Sequence, residues 1–270
     1  MKNDRIRSSF ARGLRGFFLP VLVIALWWFA TAAGLFPRSS LPSPPVVVEA
    51  LWTWMFSPGT GPYEGTWWDA AGSSGLRVIV GFTVAATSGV VLGILAGYFR
   101  SVGEVVDPLV QVLRPIPSTA WVPLTLVFFG FGFQGAVFLI GLGAFFPIFV
   151  NTVEGVRGVS SSLTRVGKML GSNTFQLLRF FVLPSSLPNI FIGLRLGVGL
   201  SWVLVVVAEM LSVRAGIGYT LMDAYSFGRY DVIIAAMISL GILGYLSDRV
   251  IVAVQQIALK WHRETSIHGS

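Results

Sequence analysis

Long apolar runs without a charged residue constrain this chain more than any other feature of its sequence. Residues 16–36 and 78–99 contain no Asp, Glu, Lys or Arg. Each run has the length of about 20 residues that a helix needs to cross the hydrocarbon core of a membrane. Since only 11% of all residues are charged, against roughly 25% in soluble domains, the chain is predicted to be an all-helical integral membrane protein.

Four further apolar runs raise the predicted number of spans to six. The fifth and sixth are residues 190–211 and 232–259. Residues 115–153 are too long for one helix, and the glycine-rich stretch 130–135 divides them into a third and a fourth span. The third starts near residue 108 and is expected to be kinked by the prolines inside it: Pro115, Pro117 and Pro123. The second span, residues 78–99, carries glycines four residues apart, which should let another helix pack closely: Gly89, Gly93 and Gly97.

The six spans divide the chain into three parts. Residues 1–75 hold a basic tail, the first span and an external segment rich in proline, glycine and tryptophan; residues 76–260 form a core of five spans, and residues 261–270 a polar tail. The alternative for the first span is a cleaved signal peptide, but its apolar run exceeds the about 7–15 residues typical of signal peptides. The tryptophans of the external segment are expected at the membrane interface: Trp52, Trp54, Trp67 and Trp68.

The distribution of positive charge predicts the orientation in the membrane. With the N-terminus in the cytoplasm, Arg38, Arg77, Arg214 and Arg229 fall outside, and 15 of the 19 Lys and Arg residues fall inside or near the inner surface. Positive residues favour cytoplasmic loops. Both termini are therefore predicted to be cytoplasmic.

A polar island at residues 160–188 separates the fourth and fifth spans and is predicted to lie in the cytoplasm. Apolar residues recur there at helical spacing, with basic and amide side chains between them. The island is predicted to form a helix, a turn and a second helix that offer a docking surface to a soluble partner. The alternative is an amphipathic loop that lies on lipid headgroups.

Capping residues mark the two helices of this island. One of the serines at positions 160–162 is expected to cap the first helix, and Gly171 stands where that helix should end. Asn173 followed by Gln176 resembles a capping box for the second helix. Pro184 is expected to terminate the second helix.

One face of the fifth span carries residues that are unusual in lipid. Seven-residue spacing places Arg195, Trp202 and Glu209 on this face together with Gly199. Arg195 and Glu209 are about 21 Å apart at ~1.5 Å per residue, too far to pair within the helix. An ionised side chain in the bilayer costs about 2.5–3.5 kcal/mol and usually faces protein or water. The face is interpreted as lining a translocation pathway; alternatively, Arg195 reaches the inner surface while Glu209 pairs with another helix or a second copy of the chain.

Motifs for catalysis and metal binding are missing from the sequence. It contains no Walker-type G-x-x-x-x-G-K-[ST] loop. It has no cysteine, and its two histidines, His262 and His268, lie in the C-terminal tail, far from any nucleophile within a span. The chain is therefore not expected to be an enzyme or to carry a metal or cofactor of its own.

The polar island has a recognisable residue spacing. Arg165-Val166-Gly167 is followed by Gly171, by Phe181 and by Leu183-Pro184. This spacing resembles the EAA loop of ABC-importer permeases, whose pattern is E-A-A-x3-G-x9-I-x-L-P, although Arg165 replaces the usual Glu and Phe181 the usual Ile. The resemblance implies a role in coupling to an ATPase for these residues: Arg165, Val166, Gly167, Lys168, Gly171, Ser172, Asn173, Thr174, Phe181, Leu183 and Pro184.

Other segments between residues 75 and 260 are similar to the nitrate/sulfonate/taurine branch of these permeases. They are residues 114–117, 120–123, 143–148, 151–152, 208–210, 216–219 and 223–224. The resemblance implies the type I importer fold, with six spans and a cytoplasmic coupling-helix loop between spans four and five, in the bacterial plasma membrane. The implied cargo is a small anion such as nitrate, taurine, another sulfonate or a related oxyanion.

The resemblance also implies a set of partners. They are a second copy of the permease, two ATP-binding cassette ATPase subunits that bind ATP and Mg, an external substrate-binding protein and membrane lipid, without nucleic acid. Two other classes of function stay open. A proton- or ion-coupled secondary transporter usually needs acidic or histidine relays, and Glu209 is taken as the one acid well inside a span. A non-transporting scaffold would recruit a soluble partner through the 160–188 loop.

Overall fold

Helices make up the regular secondary structure of the computed structural model, which describes residues 18–37, 40–59 and 61–260 and contains no strand in these ranges. The helices are Phe18–Ala32 (α1), Pro44–Phe56 (α2), Trp67–Tyr98 (α3), Arg100–Leu113 (α4), Val122–Phe129 (α5), Phe133–Arg157 (α6), Ser161–Met169 (α7), Thr174–Leu177 (α8), Leu183–Ser212 (α9), Ile217–Ser226 (α10) and Tyr230–Ala258 (α11). A 3-10 helix, Ser118–Trp121, precedes α5, and a π-helix, Leu178–Val182, joins α8 to α9. The predicted all-helical architecture is confirmed for this part of the chain.

Four helices in the described ranges are long and apolar enough to cross a membrane. They are α3, α6, α11 and a continuous helix of 38 residues, Thr174–Leu211, which α8, the π-helix and α9 form together. The pair α4 and Ser118–Phe129 is bent by 89° and makes a fifth span if it crosses as a broken helix. Pro115 and Pro117 lie at this bend, where a proline removes a backbone donor and disfavours helical geometry in the residue before it. The predicted kink is confirmed, while the total of six spans stays a prediction.

The described residues group into two compact units, the first comprising the residues up to Trp68 together with Thr220–Ile238. Within it the Tyr63 hydroxyl donates to Asp223 Oδ2 at 2.8 Å. The Arg229 guanidinium lies 5.8 Å from the centre of the Tyr63 ring and donates two hydrogen bonds to Asp231. The turn between α10 and α11 is therefore held by polar contacts inside this unit.

The tryptophans of the external segment divide into two environments. Trp52 and Trp68 are exposed, as an interfacial position requires, but Trp54 and Trp67 are buried, so the expectation is wrong for these two. Val47 and Trp54 lie two turns apart on one face of α2, and both are only 1% exposed. Trp54 Nε1 also donates to Thr66 Oγ1 at 3.2 Å, so this face of α2 is covered by protein and does not face a membrane surface.

The second unit, Asp69–Tyr219 with the residues from Ser239 onward, contains helices that pack closely. Each glycine of the α3 stripe lies against a side chain of α6, so that an added Cβ would come within 3.0 Å of it: Ile148 opposite Gly89, Thr152 opposite Gly93 and Val156 opposite Gly97. The close approach predicted from the spacing is confirmed. The helix α6 also packs along α9, where Gly193 and Gly197 meet Ile148.

Gly93→Ala is expected to destabilise the protein by about 1–3 kcal/mol, because overpacking forces backbone shifts. A Cβ at Gly93 would lie 2.7 Å from Thr152 Cβ and 3.0 Å from the carbonyl oxygen of Phe149. Gly72→Ala is the matched control on α3, since a Cβ there meets nothing within 4 Å and alanine favours a helix by about 1 kcal/mol. Thermal unfolding in detergent should therefore shift in opposite directions for the two variants, and equal shifts would contradict the packing described here.

Candidate functional site

The loop of residues 160–188, called the polar loop below, begins with a capped helix. Ser160 Oγ accepts a hydrogen bond from the backbone N–H of Ser162 at 3.2 Å. This satisfies one of the donors that the start of a helix leaves without an intrahelical partner. The expectation that a serine at 160–162 caps the first helix is confirmed.

The first helix of the polar loop ends at a glycine. Gly171 has φ of +78°, a left-handed conformation that glycine adopts without a steric penalty. Its N–H donates to the carbonyl of Lys168 at 3.0 Å, and the N–H of Ser172 donates to the carbonyl of Gly167 at 3.1 Å. These two bonds form a Schellman motif, so the predicted end of this helix is confirmed.

The second helix of the polar loop starts with a complete capping box. Asn173 Oδ1 accepts from the N–H of Gln176 at 2.8 Å, and Gln176 Oε1 accepts from the N–H of Asn173 at 2.9 Å. The predicted capping box is confirmed. Because the Schellman turn and the capping box adjoin each other, the turn between the two helices has a defined geometry.

Asn173→Ala is expected to weaken the start of α8 by about 1 kcal/mol, the typical value of a lost N-cap. Amide hydrogen exchange of residues 174–182 should rise about fivefold, since 1 kcal/mol corresponds to about that factor in the opening equilibrium. Asn173→Asp keeps an acceptor at the same place and should exchange as the unaltered protein does. Faster exchange in the Asp variant as well would show that this cap does not hold the helix.

Pro184 does not terminate the second helix, and the expectation that it would is wrong. The helix continues from Thr174 through the π-helix Leu178–Val182 to Leu211. In a regular α-helix a proline ring would clash with the carbonyl four residues earlier. The wider π turn lets α9 begin at Leu183, so that Pro184 stands in its first turn, where no backbone donor is needed.

The two helices of the polar loop pack against each other. Gly167 is buried, and a Cβ there would lie 2.6 Å from Leu177 Cδ1 and 3.2 Å from the ring of Phe181. This contact makes α7 and the segment 174–182 one packed body. Apolar side chains on its outside remain more than 60% exposed: Met169, Leu170 and Phe175.

Most residues that the resemblance assigns to coupling lie on the surface of this body. The exposed ones are Arg165, Val166, Lys168, Gly171, Asn173 and Thr174. The half-buried ones are Ser172, Phe181, Leu183 and Pro184. Arg165, at the position where the pattern has Glu, donates to Ser161 Oγ at 3.3 Å. Their role in coupling stays a prediction.

An ion pair stands directly before the polar loop. Arg157, in the last turn of α6, donates from Nη2 to Asp107 Oδ2 at 2.6 Å and to the carbonyl of Ala96 at 3.1 Å. It links the end of α6 to α4 and to the end of α3.

No three His, Asp or Glu side chains of the described ranges are placed to hold a metal ion.

A buried carboxylate holds three helices together at the other end of the fifth span. Glu209 is 0% exposed, and Arg77 Nη1 donates to its Oε1 at 2.6 Å. Ser74 Oγ and the N–H of Gly218 each donate to Glu209 Oε2 at 2.9 Å, and Ser74 accepts from the N–H of Ile217 at 2.9 Å. The interpretation that Glu209 pairs with another helix is confirmed, and the pairing joins α3, α9 and the start of α10.

The other residues of the predicted pathway face have different environments. Trp202 is buried, and its Nε1 donates to Ser247 Oγ at 3.0 Å. Gly199 is exposed, and an added Cβ meets nothing within 4 Å in the described chain. Arg195 is about half exposed and donates from Nε and Nη2 to the two carboxylate oxygens of Asp248 at 2.8 and 3.1 Å. Because α3 and α11 cover part of the face, its four residues do not form one exposed surface of this chain.

The sequence alone does not identify the residues on neighbouring helices that pair with Glu209 and Arg195. Its charge pattern places Arg77 outside the membrane, and nothing in it links Arg77 to Glu209. Asp248 lies inside the predicted sixth span, so the statement that Glu209 is the one acid well inside a span is wrong. The charged residues inside the fifth span do indicate that partners exist, since an isolated charge within a span requires a partner. Nothing in the residue spacing indicates which helix supplies that partner.

The chain matches known proteins over most of its length. Residues 89–259 match the family model described as the binding-protein-dependent transport system inner membrane component. The chain is 34% identical over 248 residues to a putative aliphatic sulfonates transport permease protein of Bacillus subtilis, covering 92% of this chain and 87% of that protein. It is 36% identical over 208 residues to a nitrate import permease protein of Leptolyngbya laminosa, covering 76% and 74%.

A solved structure is similar in fold. A chain of the MetNI methionine ABC transporter in an inward-facing conformation aligns with a TM-score of 0.54 at 19% identity, over 80% of this chain and 98% of that one. At this identity the likeness concerns the fold alone, which is the all-helical permease fold. By the family match and the relatives together, this chain belongs to the inner-membrane permeases of binding-protein-dependent ABC importers, in their nitrate, sulfonate and taurine branch.

Proposed function

We propose that the chain is the membrane-spanning subunit of an ATP-driven importer for a small oxyanion or sulfonate. Membership of the permease family supports the transport role, and the relatives named above for aliphatic sulfonates and nitrate support the cargo class. Both cargoes are anions that present several oxygen atoms around one centre. ATP and Mg are assigned to a partner ATPase, and delivery of the cargo to an external binding protein.

One observation carries this proposal: the second helix of the polar loop and the fifth span are a single continuous helix from Thr174 to Leu211. A subunit that moves α8 therefore moves α9 with it, because the π-helix Leu178–Val182 joins them without a break. The packing of Gly167 on Leu177 ties α7 to the same body. Exposed apolar side chains at its tip, such as Met169 and Phe175, supply the area that a partner would bury.

The mechanism follows from this connection. Closure of an ATPase dimer on ATP displaces the two polar loops of a permease pair, and the attached spans rock between inward- and outward-open states. Arg157 holds the end of α6 to Asp107 on α4. The helix that leads into the polar loop is therefore fixed to a neighbouring helix while the loop moves.

The proposed topology has six spans: α1, α3, the bent pair of α4 with Ser118–Phe129, α6, the helix Thr174–Leu211 and α11. It places both termini and the polar loop in the cytoplasm of a bacterium, and it includes a second copy of the chain and bound lipid. The division of the chain into an N-terminal part up to residue 75, a core of five spans up to residue 260 and a C-terminal tail belongs to the same proposal. The basic tail and the C-terminal tail with His262 and His268 lie outside the described residues.

The face of Arg195, Gly199, Trp202 and Glu209 is proposed to border the translocation pathway. Arg195 and Gly199 are exposed and would meet the cargo. Trp202 and Glu209 are buried behind them and would keep α9 in position against α11 and α3.

Transport by a reconstituted complex tests the proposal. The permease is purified with the ATPase that accompanies it, placed in proteoliposomes with the binding protein, and supplied with taurine, butanesulfonate or nitrate. Uptake of at least one of these compounds should require ATP and survive collapse of the proton gradient. A secondary transporter would show the opposite dependence, and a scaffold would transport nothing under either condition.

A further inference from the structure

Arg195 and Asp248 form an ion pair between two membrane-spanning helices. Arg195 lies about 26 Å along α9 from Ser212, at ~1.5 Å per residue. The hydrocarbon core of a membrane is about 30 Å thick, so the pair lies toward the end of the span that is nearer to the polar loop. In the proposed topology that end is the inner one.

The exposure of this pair separates it from the ion pair at the other end of the span. The side chains of Arg77 and Glu209 are 8% and 0% exposed, whereas those of Arg195 and Asp248 are 47% and 29% exposed. A charged pair that faced lipid would be unfavourable. The exposed edge of the Arg195–Asp248 pair must therefore meet water or protein.

The guanidinium of Arg195 keeps donors for a second ligand. Its Nε and Nη2 bond to Asp248, and guanidinium carries five N–H donors in all. No further hydrogen bond of Arg195 is formed within the ranges that the structure describes, so the Nη1 edge stays free. Gly199, one turn along α9 on the same face, adds no side chain to it, and even a Cβ there would touch nothing within 4 Å in the described chain.

The local charge favours an anion. Arg249 follows Asp248 in the chain, and its guanidinium lies 4.7 Å from the centre of the Tyr245 ring. Two guanidinium groups and one carboxylate leave a net positive charge at this place. A monovalent anion would neutralise it.

We propose that Arg195 and Asp248 form an anion-exchange site at the inner end of the pathway, where an oxyanion or sulfonate replaces the carboxylate of Asp248 on the guanidinium of Arg195. The inference rests on the proposed function, since it requires an anionic cargo. Nitrate, bicarbonate and sulfonate each offer two oxygens on one centre, as a carboxylate does, and the planar fork of arginine binds such a pair in a bidentate manner. Because Asp248 competes for the same donors, the cargo is bound weakly enough to leave, which conduction requires.

Four variants of the complete reconstituted importer test this site. Arg195→Gln should lower uptake of taurine or nitrate by roughly tenfold, the loss expected for a charge-assisted hydrogen bond, while stimulation of ATP hydrolysis by the loaded binding protein stays within about twofold of the unaltered level. Arg195→Lys keeps the charge without the fork and should lower uptake to a smaller extent, which covers the case in which Arg195→Gln fails to assemble. Asp248→Asn removes the competitor, so anion preloaded inside the vesicles should inhibit uptake at about fivefold lower concentration.

The decisive variant exchanges the two charges, Arg195→Asp together with Asp248→Arg. It keeps an ion pair between α9 and α11 but moves the fork to the other helix, so uptake should stay roughly tenfold low although the complex assembles. Uptake at the unaltered rate in this variant would overturn the inference and leave a purely structural ion pair. If the unaltered complex carried none of the offered compounds, the proposed cargo class would fail first and this inference with it. Arg100→Gln, which breaks the exposed pair with Glu104, should leave uptake unchanged and is the control.

Discussion

Glu209→Ala should lower the free energy of unfolding by about 3–5 kcal/mol, because removing one partner of a buried ion pair leaves an uncompensated charge. The charge left behind is that of Arg77, which is only 7% exposed and whose Nε already lacks a partner within the described chain. The same substitution removes the acceptor of Ser74 and of the N–H of Gly218. Thermal unfolding of the detergent-purified protein measures the loss.

Two controls isolate the buried pair. Glu104→Ala breaks the exposed i,i+4 pair with Arg100 and should change stability by less than about 1 kcal/mol. Glu209→Ala combined with Arg77→Met removes both charges and should recover part of the loss, since no buried charge is then left without a partner. Equal destabilisation by Glu209→Ala and Glu104→Ala would contradict the arrangement.

The close contact of a neighbouring glycine with Glu209 also supports the expected loss of stability in Glu209→Ala. Gly216 has φ of +116°, and a Cβ there would overlap the carboxyl group of Glu209. The backbone that leads into α10 is thus closed around the carboxylate. Loss of the carboxylate should therefore also raise hydrogen exchange at the N–H groups of Ile217 and Gly218.

Gly171→Val is the second large effect, and it concerns transport more than stability. A β-branched residue at φ of +78° is strained by about 1–2 kcal/mol, which corresponds to a factor of about 5–30 in the population of the native turn. Uptake should fall by about that factor while the protein still inserts and the ATPase still hydrolyses ATP. Gly171→Pro should be more severe, because it also removes the N–H that donates to Lys168.

Gly171→Asn is the matched control for the backbone conformation. An added Cβ at this position meets nothing within 4 Å, so side-chain size alone does no harm there, and asparagine tolerates the left-handed region better than valine. The Asn variant should therefore couple ATP hydrolysis to uptake nearly as the unaltered protein does. Normal uptake in a well-expressed Val variant, or equal loss in both, would refute a role for the angle of this turn.

Local features of the fold could be predicted because their causes are local. The cap at Ser160, the turn at Gly171 and the capping box of Asn173 each depend on bonds within a few residues. The close approach of α3 to α6 follows from a glycine every fourth residue, which leaves one helix face without side chains. The failed prediction at Pro184 shows the limit, since a π turn just before a proline gives the helix a new start.

By itself the sequence determined an all-helical membrane protein, the family and the internal geometry of the polar loop, because apolar length, capping and spacing act within one helix or one turn. The pairing of charges was decided only by the tertiary structure. Arg77 and Glu209 are 132 residues apart, and Arg195 and Asp248 are 53 apart, and any helix of the bundle could have supplied either partner. The packing of α3 and α11 against α9 selects the pairs, so it also decides which pair is buried in the protein and which stays partly exposed.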